Sequence, residues 1–209
     1  MAPVWTVESL TQRFDFSRET LAKLEIHVAL LKAWQAKFNL VAASTLPDLW
    51  TRHIADSLQL AGHLPAGSAP IADLGSGAGF PGLVLAAATG RMVHLVESNH
   101  KKAAFLGEVI RKAEIKAKVH ACRIETIDWH ALGEWPCAVT ARALAPLPQL
   151  LTLAEPLLRH GAIGLFAKGR DLDVELTESA KTWRLRFEVH PSISDSAGAV
   201  LKVMEAKRV

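Results

Sequence analysis

The sequence predicts an α/β fold built on a mainly parallel sheet, and three patterns predict it. A glycine-rich loop, residues 73–82 with the sequence DLGSGAGFPG, lies between a short apolar run and a helix-forming stretch. Strand, glycine loop and helix in this order begin a nucleotide-binding α/β unit. Strand-like and helical patterns then alternate as far as residue 168. The last two strand-like segments, 184–190 and 199–205, are joined by a link too short for a crossover helix, so they must pair antiparallel.

Apolar spacing and capping residues place the other elements. Residues 17–40 are predicted to form an amphipathic helix with Ser17 as N-cap, because apolar residues recur at three- and four-residue steps. A second helix is predicted from about 47 to 62, followed by a linker rich in proline and glycine. We therefore divide the chain into a helical N-terminal extension, 1–66, and an α/β domain, 67–209. The remaining predicted elements are strands 70–72, 91–97, 118–122, 137–142 and 161–168 and helices 99–113 and 147–158.

Composition narrows the class of protein. The chain has 209 residues, half of them hydrophobic, which suits one sizeable domain with a small extension. No long apolar run and no signal-peptide pattern are evident, so we expect a cytoplasmic protein with no membrane association. Cys122 and Cys137 lack metal-ligand spacing, which indicates reduced thiols and no metal site. The net charge of +3 is compatible with an RNA partner without being evidence for one.

The glycine loop alone fits two classes of nucleotide-binding protein. Residues 77–82 match the dinucleotide pattern G-x-G-x-x-G, and Asp73, Gly75, Gly77 and Gly79 match the loop of S-adenosylmethionine (SAM) methyltransferases equally well. An acidic residue at the end of the second strand would accept hydrogen bonds from a ribose in either class. The terminal hairpin discriminates, because five parallel strands closed by an antiparallel hairpin are typical of the class I SAM-dependent methyltransferase (Rossmann-like) sheet of seven strands. A dehydrogenase sheet would normally continue with helices between its strands.

Several motifs together carry a resemblance to a known family. They are Trp34-x-x-x-Phe38-Asn-Leu40, Arg52-His53-x-x-Asp56-Ser57, the loop Asp73–Gly82, Glu97-Ser-x-x-Lys101-Lys-x-x-Phe105-Leu, Arg123-Ile124-Glu125, Ala141-Arg142-Ala143 and Lys168-Gly169. Almost end to end, the chain resembles the bacterial 16S rRNA guanine-N7 methyltransferases of the RsmG (GidB) family. It departs from that family in three places: at Pro136-Cys137, at Ala141, where a serine is usual, and at Ser196–Ala199, where relatives commonly carry an arginine.

The resemblance implies a cofactor, a partner and a set of site residues. SAM would lie against Gly75–Phe80, with its ribose on Glu97 and its adenine bounded by Ile124 and Glu125. The partner would be 16S rRNA or the small ribosomal subunit, and we expect a monomer. Arg142, at the end of the fourth strand, is the candidate catalytic residue, and it would bind the methionine carboxylate, an RNA phosphate or the guanine edge. The candidate substrate-binding residues are Arg52, His53, Asp56, Ser57, Lys168 and Arg170.

The chemistry of these residues leaves alternatives open. Guanine N7 has a free lone pair, so its methylation needs no general base, and the sequence has no Asn-Pro-Pro-aromatic motif of amino methyltransferases. Cys137 begins a strand, which does not suit the loop cysteine of pyrimidine C5 methylation. Arg52 and Asp56 lie four residues apart, so an intrahelical salt bridge is as acceptable an interpretation as substrate binding.

Three other functions compete with RNA methylation. A methyltransferase acting on a small molecule or a protein would share the fold. A nicotinamide-dependent oxidoreductase would use residues 77–82, although the terminal hairpin argues against it. A SAM-binding regulatory module without catalysis would carry the same loop. The sequence alone does not separate this last alternative from an RNA methyltransferase, because N7 transfer requires no distinctive catalytic residue.

Overall fold

A computed structural model of the chain describes residues 4–209 and confirms the predicted sheet. Its strands are β1 (Ile71–Leu74), β2 (Val93–Val96), β3 (Ala117–His120), β4 (Ala138–Arg142), β5 (Ile163–Lys168), β6 (Trp183–Pro191) and β7 (Ala199–Arg208). They lie in the order β3-β2-β1-β4-β5-β7-β6. The first five strands pair in parallel, and β7 is antiparallel to both β5 and β6, as the short link between the last two strands predicts.

The helices are α1 (Val7–Phe14), α2 (Arg18–Gln35), α3 (Asp56–Leu58), α4 (Gly82–Thr89), α5 (His100–Ala113), α6 (Leu147–Arg159) and α7 (Leu172–Ser179). Ser17 caps α2, because its side chain accepts a hydrogen bond from the backbone N–H of Thr20. Asn99 caps α5 by accepting from the N–H groups of Lys101 and Lys102. No helix within residues 4–209 is both long and apolar enough to cross a membrane.

Both faces of the sheet are covered, which explains why β1 and β2 are buried along their whole length. One face packs against α2, α4 and α5 in a core that includes Leu24, Leu83 and Phe105. The other face packs against α6, and its core includes Phe166 and Trp183. Because α2 contributes to the first core, the helical N-terminal part is packed on the α/β part rather than tethered to it.

The prediction of one helix over 17–40 is wrong at its C-terminal end, since α2 ends at Gln35. The Gln35 side chain accepts from the N–H groups of Leu40 and Val41 at 2.9 and 3.1 Å. It also donates to the Val41 carbonyl oxygen at 3.0 Å. A side chain that satisfies the backbone in this way stabilises a turn in place of further helix. The apolar residue Phe38 therefore continues the helical spacing without being helical.

The predicted helix over 47–62 is replaced by an irregular segment, residues 43–63. It begins as a 3₁₀ helix (Ala43–Asp48), becomes a π-helix (Trp50–Ala55), and continues through the short α3 into a second 3₁₀ helix (Gln59–His63). A π-helical turn shifts side chains relative to regular α-helical spacing, and such turns are frequent at functional sites. The faces that Arg52 and Asp56 present were therefore not predictable from α-helical periodicity.

Two helices, α1 and α7, were not predicted. Each has eight residues, and the only apolar residues they bury are Leu10 in α1 and Leu172 in α7. α7 has almost no apolar stripe, which is the signal that sequence reasoning uses. α1 spaces Val7, Leu10 and Phe14 at helical intervals, but over only two turns. A second signal for α1 is its capping box, in which Thr6 and Ser9 each bond the other's backbone N–H.

Candidate active site

The carboxyl ends of the parallel strands open into two adjoining cavities of about 680 Å³ and 360 Å³. Ligands of open α/β sheets bind at this edge. The larger cavity is lined by Arg52, His53, Asp56, Phe80, Arg142 and Lys168, among others. The smaller cavity is lined by Glu97, Ile124 and Glu125, among others. Both share Gly75 and Gly77, so the glycine loop forms the boundary between them.

The loop glycines fall into two kinds. Gly77 has φ +57°, and a Cβ built on it would lie no closer than 3.8 Å to any other residue except its chain neighbours. Since Gly77 lines both cavities, the space beside it belongs to the ligand side of the loop. Gly82, at the start of α4, is different, because its Cβ would lie 2.4 Å from the Leu95 side chain and 2.5 Å from the Asp73 carboxylate. Gly82 is required by packing, whereas Gly77 leaves room for a bound molecule.

Asp73, a predicted cofactor residue, lies beneath the loop and does not line either cavity. Its carboxylate is fully buried and accepts from the Thr140 hydroxyl at 2.7 Å and from the Gly82 N–H at 3.3 Å. Burial raises the pKa of Asp73 to about 6, although these hydrogen bonds oppose the shift. The structure therefore gives Asp73 a role in holding the loop against β4 and α4. Gly79 likewise lines neither cavity, and it is required by packing, since a Cβ there would lie 2.5 Å from the Leu83 side chain.

Glu97 connects the loop to the end of β2. One carboxylate oxygen accepts from the Gly77 N–H at 2.8 Å, and the other accepts from the Asn99 N–H at 2.7 Å. Each carboxylate oxygen keeps a further lone pair, so both remain able to accept from a ligand hydroxyl. The predicted cofactor residues Ile124 and Glu125 line the same cavity. The structure thus brings together, around one cavity, residues that lie at the ends of β1, β2 and β3.

Arg142 ends β4 and reaches across to the irregular segment. Its guanidinium donates to the Arg52 carbonyl oxygen at 2.8 Å, to the Asp56 carboxylate at 3.2 Å and to His53 Nδ1. Burial lowers the pKa of Arg142, and the Asp56 carboxylate opposes that shift. The side chains of Arg142 and Asp56 are 19% and 14% exposed. A guanidinium fixed by three acceptors at the floor of a cavity is oriented before any ligand binds.

The contacts of His53 determine its tautomer. Arginine only donates, so His53 Nδ1 must be the acceptor for Arg142 and the ring proton must lie on Nε2. Nε2 then donates to the Thr45 hydroxyl at 2.9 Å. Burial and the neighbouring charge of Arg142 lower the pKa of His53 to about 3. His53 is therefore neutral at physiological pH, and its one acceptor nitrogen is already occupied.

Phe80 is held between two histidines. The rings of His27 and His53 stack on it at centroid distances of 4.7 and 4.8 Å. Phe80 is only 5% exposed, and the Arg142 guanidinium carbon lies 5.4 Å from its centroid. His27 is completely buried, and its Nε2 donates to the Ala78 carbonyl oxygen at 2.7 Å. Sequence reasoning missed His27; the available signal was its place on the buried face of α2, between Leu24 and Leu31.

Arg52 and Asp56 do not form the intrahelical salt bridge that their spacing allowed, so that interpretation is wrong. Arg52 pairs with Asp195 at 3.0 Å. Asp56 accepts from the hydroxyl of Ser194 at 2.6 Å, in addition to Arg142. The loop between β6 and β7 therefore contributes to the site through two residues that the sequence did not indicate. This loop lacks the arginine that the resemblance led us to look for and carries Asp195 in the same region.

Three further candidates lie in different environments. Lys168 lines the larger cavity, but its ammonium donates to Glu175 at 2.6 Å and its side chain is 8% exposed. Arg170 is exposed and does not line either cavity. Ser57 is fully buried and donates to the His53 carbonyl oxygen at 2.6 Å, so it does not face either cavity. Lys168 therefore lines the larger cavity as an ion pair with Glu175, and Ser57 is buried behind the cavity wall.

The two cysteines lie at opposite edges of the sheet. Cys137 precedes β4 and its backbone bonds Pro70, at the amino ends of the strands, away from both cavities. Cys122 follows β3 and lines the smaller cavity. The position of Cys137 agrees with the sequence argument against its acting as a nucleophile on the substrate.

Comparison with known proteins agrees with this geometry. The profile of the GidB family, described as rRNA small subunit methyltransferase G, matches residues 20–201. The chain belongs to this family. A family member from Bradyrhizobium diazoefficiens, named ribosomal RNA small subunit methyltransferase G, is 52% identical over 197 residues, which is 92% of this chain and 74% of the relative. Another from Rhodospirillum centenum is 48% identical over 204 residues, which is 98% of this chain and 93% of the relative.

Solved structures confirm the fold class of this family member. M. jannaschii TYW2 in complex with AdoMet is similar with a TM-score of 0.58 and 13% identity, covering 83% of this chain and 80% of that one. The glycopeptide N-methyltransferase MtfA complexed with SAM is similar with a TM-score of 0.58 and 9% identity, covering 73% of this chain and 94% of that one. At these identities the likeness concerns the fold, which is the class I methyltransferase sheet that the terminal hairpin predicts.

Proposed function

We propose that this protein transfers a methyl group from SAM to N7 of a guanine in 16S rRNA. Membership of the rRNA small subunit methyltransferase G family supports an rRNA substrate and the SAM cofactor. The fold and the family both favour methyl transfer over hydride transfer. We also propose that residues 67–209 form the transferase domain, and that the extension, 1–66, supplies Arg52, His53 and Asp56 to the larger cavity.

The smaller cavity has the chemistry that SAM requires. The Glu97 carboxylate would accept from the ribose hydroxyls, and Ile124 and Glu125 would bound the adenine. The open space beside Gly77 would admit the cofactor close to the loop backbone. When bound, SAM supplies an electrophilic methyl group on a sulfonium that leaves as a neutral thioether. The residues of this chain then need to orient the acceptor and to exclude water.

The pairing of charged groups in the larger cavity is the observation that favours guanine N7 as the methyl acceptor. Each carboxylate and imidazole that lines the larger cavity already contacts an arginine or lysine side chain of the described chain. Asp56 is bound by Arg142, Asp195 by Arg52, Glu175 by Lys168, and His53 Nδ1 by Arg142. Methylation of a hydroxyl or an exocyclic amine removes a proton from the acceptor and profits from a free base. Guanine N7 carries no proton at neutral pH, so its methylation fits a cavity whose potential bases are all paired with cations.

Arg142 is positioned to hold an anionic or acceptor group beside the methyl donor. Three of its five N–H donors are engaged, and the two that remain, on Nε and Nη2, match two oxygens, as in a carboxylate or a phosphate. The methylated guanine gains a positive charge, so the guanidinium is a poor partner for the product base itself. We therefore propose that Arg142 holds the methionine carboxylate or the phosphate of the target nucleotide, and so fixes the nucleophile relative to the methyl group.

Methyl transfer from labelled SAM tests this function. The acceptors are naked 16S rRNA and small ribosomal subunits, both from cells that lack the family's enzyme, and the same RNA from wild-type cells is the control. We expect label in the RNA from the deficient cells only, and chain cleavage at the labelled nucleotide after borohydride reduction and aniline treatment, which cut at N7-methylguanosine. Labelled RNA without cleavage would contradict N7 but not rRNA methylation. SAM binding without any transfer would favour a regulatory module.

A further inference from the structure

The cations that line the two cavities differ in whether a carboxylate of this chain neutralises them. The paired ones are Arg52 with Asp195, Arg142 with Asp56, and Lys168 with Glu175. Lys102 and Arg123 also line these cavities, and within residues 4–209 the side chain of neither residue forms a salt bridge or a hydrogen bond. Arg52 and Lys168, which the sequence suggested for substrate binding, are therefore engaged, whereas Lys102 and Arg123 line the cavities without a charged partner among residues 4–209.

Lys102 and Arg123 lie at the rim of the cavities. Lys102 is in the first turn of α5, directly after the end of β2, and it lines both cavities. Arg123 follows β3, is exposed and lines the smaller cavity. Both come from the carboxyl ends of neighbouring strands, so they flank the same opening. We call these two residues the basic lip.

The charge of the cofactor argues against the cofactor as the ligand of the basic lip. SAM carries an ammonium, a sulfonium and one carboxylate, so its net charge is positive. The carboxylates of Glu97 and Glu125 in the smaller cavity complement that charge, whereas two free cations at the rim oppose it. A polyanion that approaches the opening from solvent has the complementary charge. RNA is such a polyanion, and it carries a phosphate on each side of every nucleotide.

We propose that the basic lip binds backbone phosphates of the RNA strand on either side of the target guanosine. This inference rests on the proposed function and adds the residues that seat the substrate. The Arg123 guanidinium offers two parallel donors to one phosphate, and the Lys102 ammonium acts as a compact point charge on the next. Because neither side chain has an internal partner, no ion pair has to break before phosphate binds. Arg52 and Lys168 would each have to release a carboxylate first.

An exposed cation by itself is usually solvated, so the proposal depends on the location of these two. Lys116 and Arg159 are exposed cations of the same two types, as Arg123 is, whereas Lys102 is half-buried at the cavity wall. Lys116 directly precedes β3 and Arg159 ends α6, which places both at the amino edge of the sheet, opposite the cavities. They are therefore matched controls for charge removal without removal of the basic lip.

The test compares RNA and cofactor affinities in Lys102→Gln, Arg123→Gln, Lys116→Gln and Arg159→Gln. The dissociation constant for small-subunit RNA is measured over a range of salt concentrations, and SAM affinity is measured by calorimetry on the same preparations. Each lip variant should lower the slope of log affinity against log salt by about one, and weaken RNA binding about 5–20-fold at low salt. The two control variants should behave as wild type, and SAM affinity should be unchanged in all four.

The outcomes separate this inference from the function on which it rests. If wild type methylates the RNA and the lip variants keep the wild-type RNA affinity and salt slope, the proposed role of the basic lip is wrong while the proposed function stands. If the lip variants lose SAM affinity and keep RNA affinity, the free cations serve the cofactor, and the inference is overturned. A wild-type protein that neither binds nor methylates the RNA would overturn both.

Discussion

The two cavities are built in different ways. The smaller one is lined mainly by short stretches that directly follow β1, β2, β3 and β4, among them Gly77 and Glu97, which lie twenty residues apart. The larger one depends on side chains from the irregular segment, the glycine loop, the end of β4 and the loop before β7. The hydrogen bonds of Arg142 and Asp56 connect the irregular segment to β4 and to that loop. The first half of the site is thus encoded locally and the second by tertiary contacts. A single added side chain should therefore block the first half, whereas the second half should fail when its central cation is removed.

The largest expected effect is that of Arg142→Ala on turnover. We expect kcat/KM for small-subunit RNA to fall at least about 100-fold, because the group that orients the reactants is lost. Unfolding free energy should fall by only about 1–3 kcal/mol, since Asp56 keeps the hydroxyl of Ser194 as a donor. Turnover and urea unfolding of the same preparations measure the two effects.

Two further variants sharpen this prediction. Arg142→Lys should recover activity only in part, because an ammonium does not reproduce the planar donors that reach Arg52, Asp56 and His53. Arg111→Ala, which removes an exposed pair with Glu108 on α5, is the control and should match wild type. Near-wild-type turnover in Arg142→Ala would reduce Arg142 to a structural ion pair.

Gly77→Val should have the next largest effect, on cofactor binding. The isopropyl group would project into space that the protein leaves open, so SAM affinity should fall more than about 100-fold in a protein that still folds. The melting temperature should also fall, because φ +57° at Gly77 strains any residue other than glycine. Gly82→Ala is the contrasting variant, because its Cβ would lie 2.4 Å from Leu95 and should lower the melting temperature without entering the open space beside Gly77. A folded Gly77→Val with unchanged SAM affinity, measured by calorimetry, would contradict the assignment of the loop.

Glu97→Ala should weaken SAM binding by about 1–3 kcal/mol, the usual cost of leaving buried hydroxyls without a partner. Part of that loss would arise from the loop, because Glu97 also accepts from the Gly77 N–H. Glu97→Gln separates the contribution of the ribose contact from that of the loop, since its single amide oxygen can still accept from either the Gly77 N–H or a ribose hydroxyl. Titration with NAD is the companion measurement, and tight NAD binding without SAM binding would support the oxidoreductase alternative.

His53 offers a smaller and more specific test of the side-chain half. His53→Leu should lower turnover about 10–100-fold, the equivalent of the 1.5–3 kcal/mol of about one hydrogen bond to a charged group. His53→Asn, whose oxygen lies near the position of Nδ1, should recover much of that loss, and His53→Gln should recover less. SAM affinity should change little in all three. Equal losses in the Asn and Gln variants would show that stacking on Phe80, and not the acceptor for Arg142, is what His53 provides.

The contrast between the two halves also explains what the sequence could predict. The strand–loop–helix pattern and the position of Glu97 are local, so they placed one half of the site and the sheet around it. The short link between β6 and β7 fixed their pairing, because no crossover helix fits in it. These features depend on the length of a connecting segment and on the positions of glycines, both of which can be read from a single sequence.

The resemblance named several residues of the other half, such as Arg52, Asp56 and Arg142, but their contacts were not predictable, for identifiable reasons. The π-helical turn over Trp50–Ala55 moved Arg52 and Asp56 off the faces that α-helical spacing assigns them. Asp195 lies 143 residues from its partner Arg52, and nothing in the local sequence links them. His27 falls on an apolar helix face, where its only visible role was packing. Each of these contacts joins segments that meet only in the folded chain, so neither periodicity nor a local motif predicts it.

The smallest effect at neutral pH, and the last prediction, concerns His27, which lies behind Phe80 where the two halves meet. Burial lowers the pKa of His27 to about 4, from 6.5 in an exposed chain. Between these pH values the unfolded chain binds a proton that the folded chain does not, so stability falls as the pH drops below 6.5. At pH 5 this group alone should cost about 2 kcal/mol of unfolding free energy relative to pH 7.5.

Asp73 contributes with the opposite sign, because its pKa is raised to about 6 from 3.8, so the folded chain takes up its proton first as the pH falls. His53, with a pKa lowered to about 3, adds to the loss, and the two histidines together outweigh the one carboxyl group. Wild type should therefore be less stable at pH 5 than at pH 7.5 in urea unfolding. His27→Gln keeps a donor for Ala78 and removes the titrating ring, so its loss of stability between these pH values should be smaller by about 2 kcal/mol. An equal loss of stability in His27→Gln and wild type between these pH values would show that acid acts elsewhere in the fold.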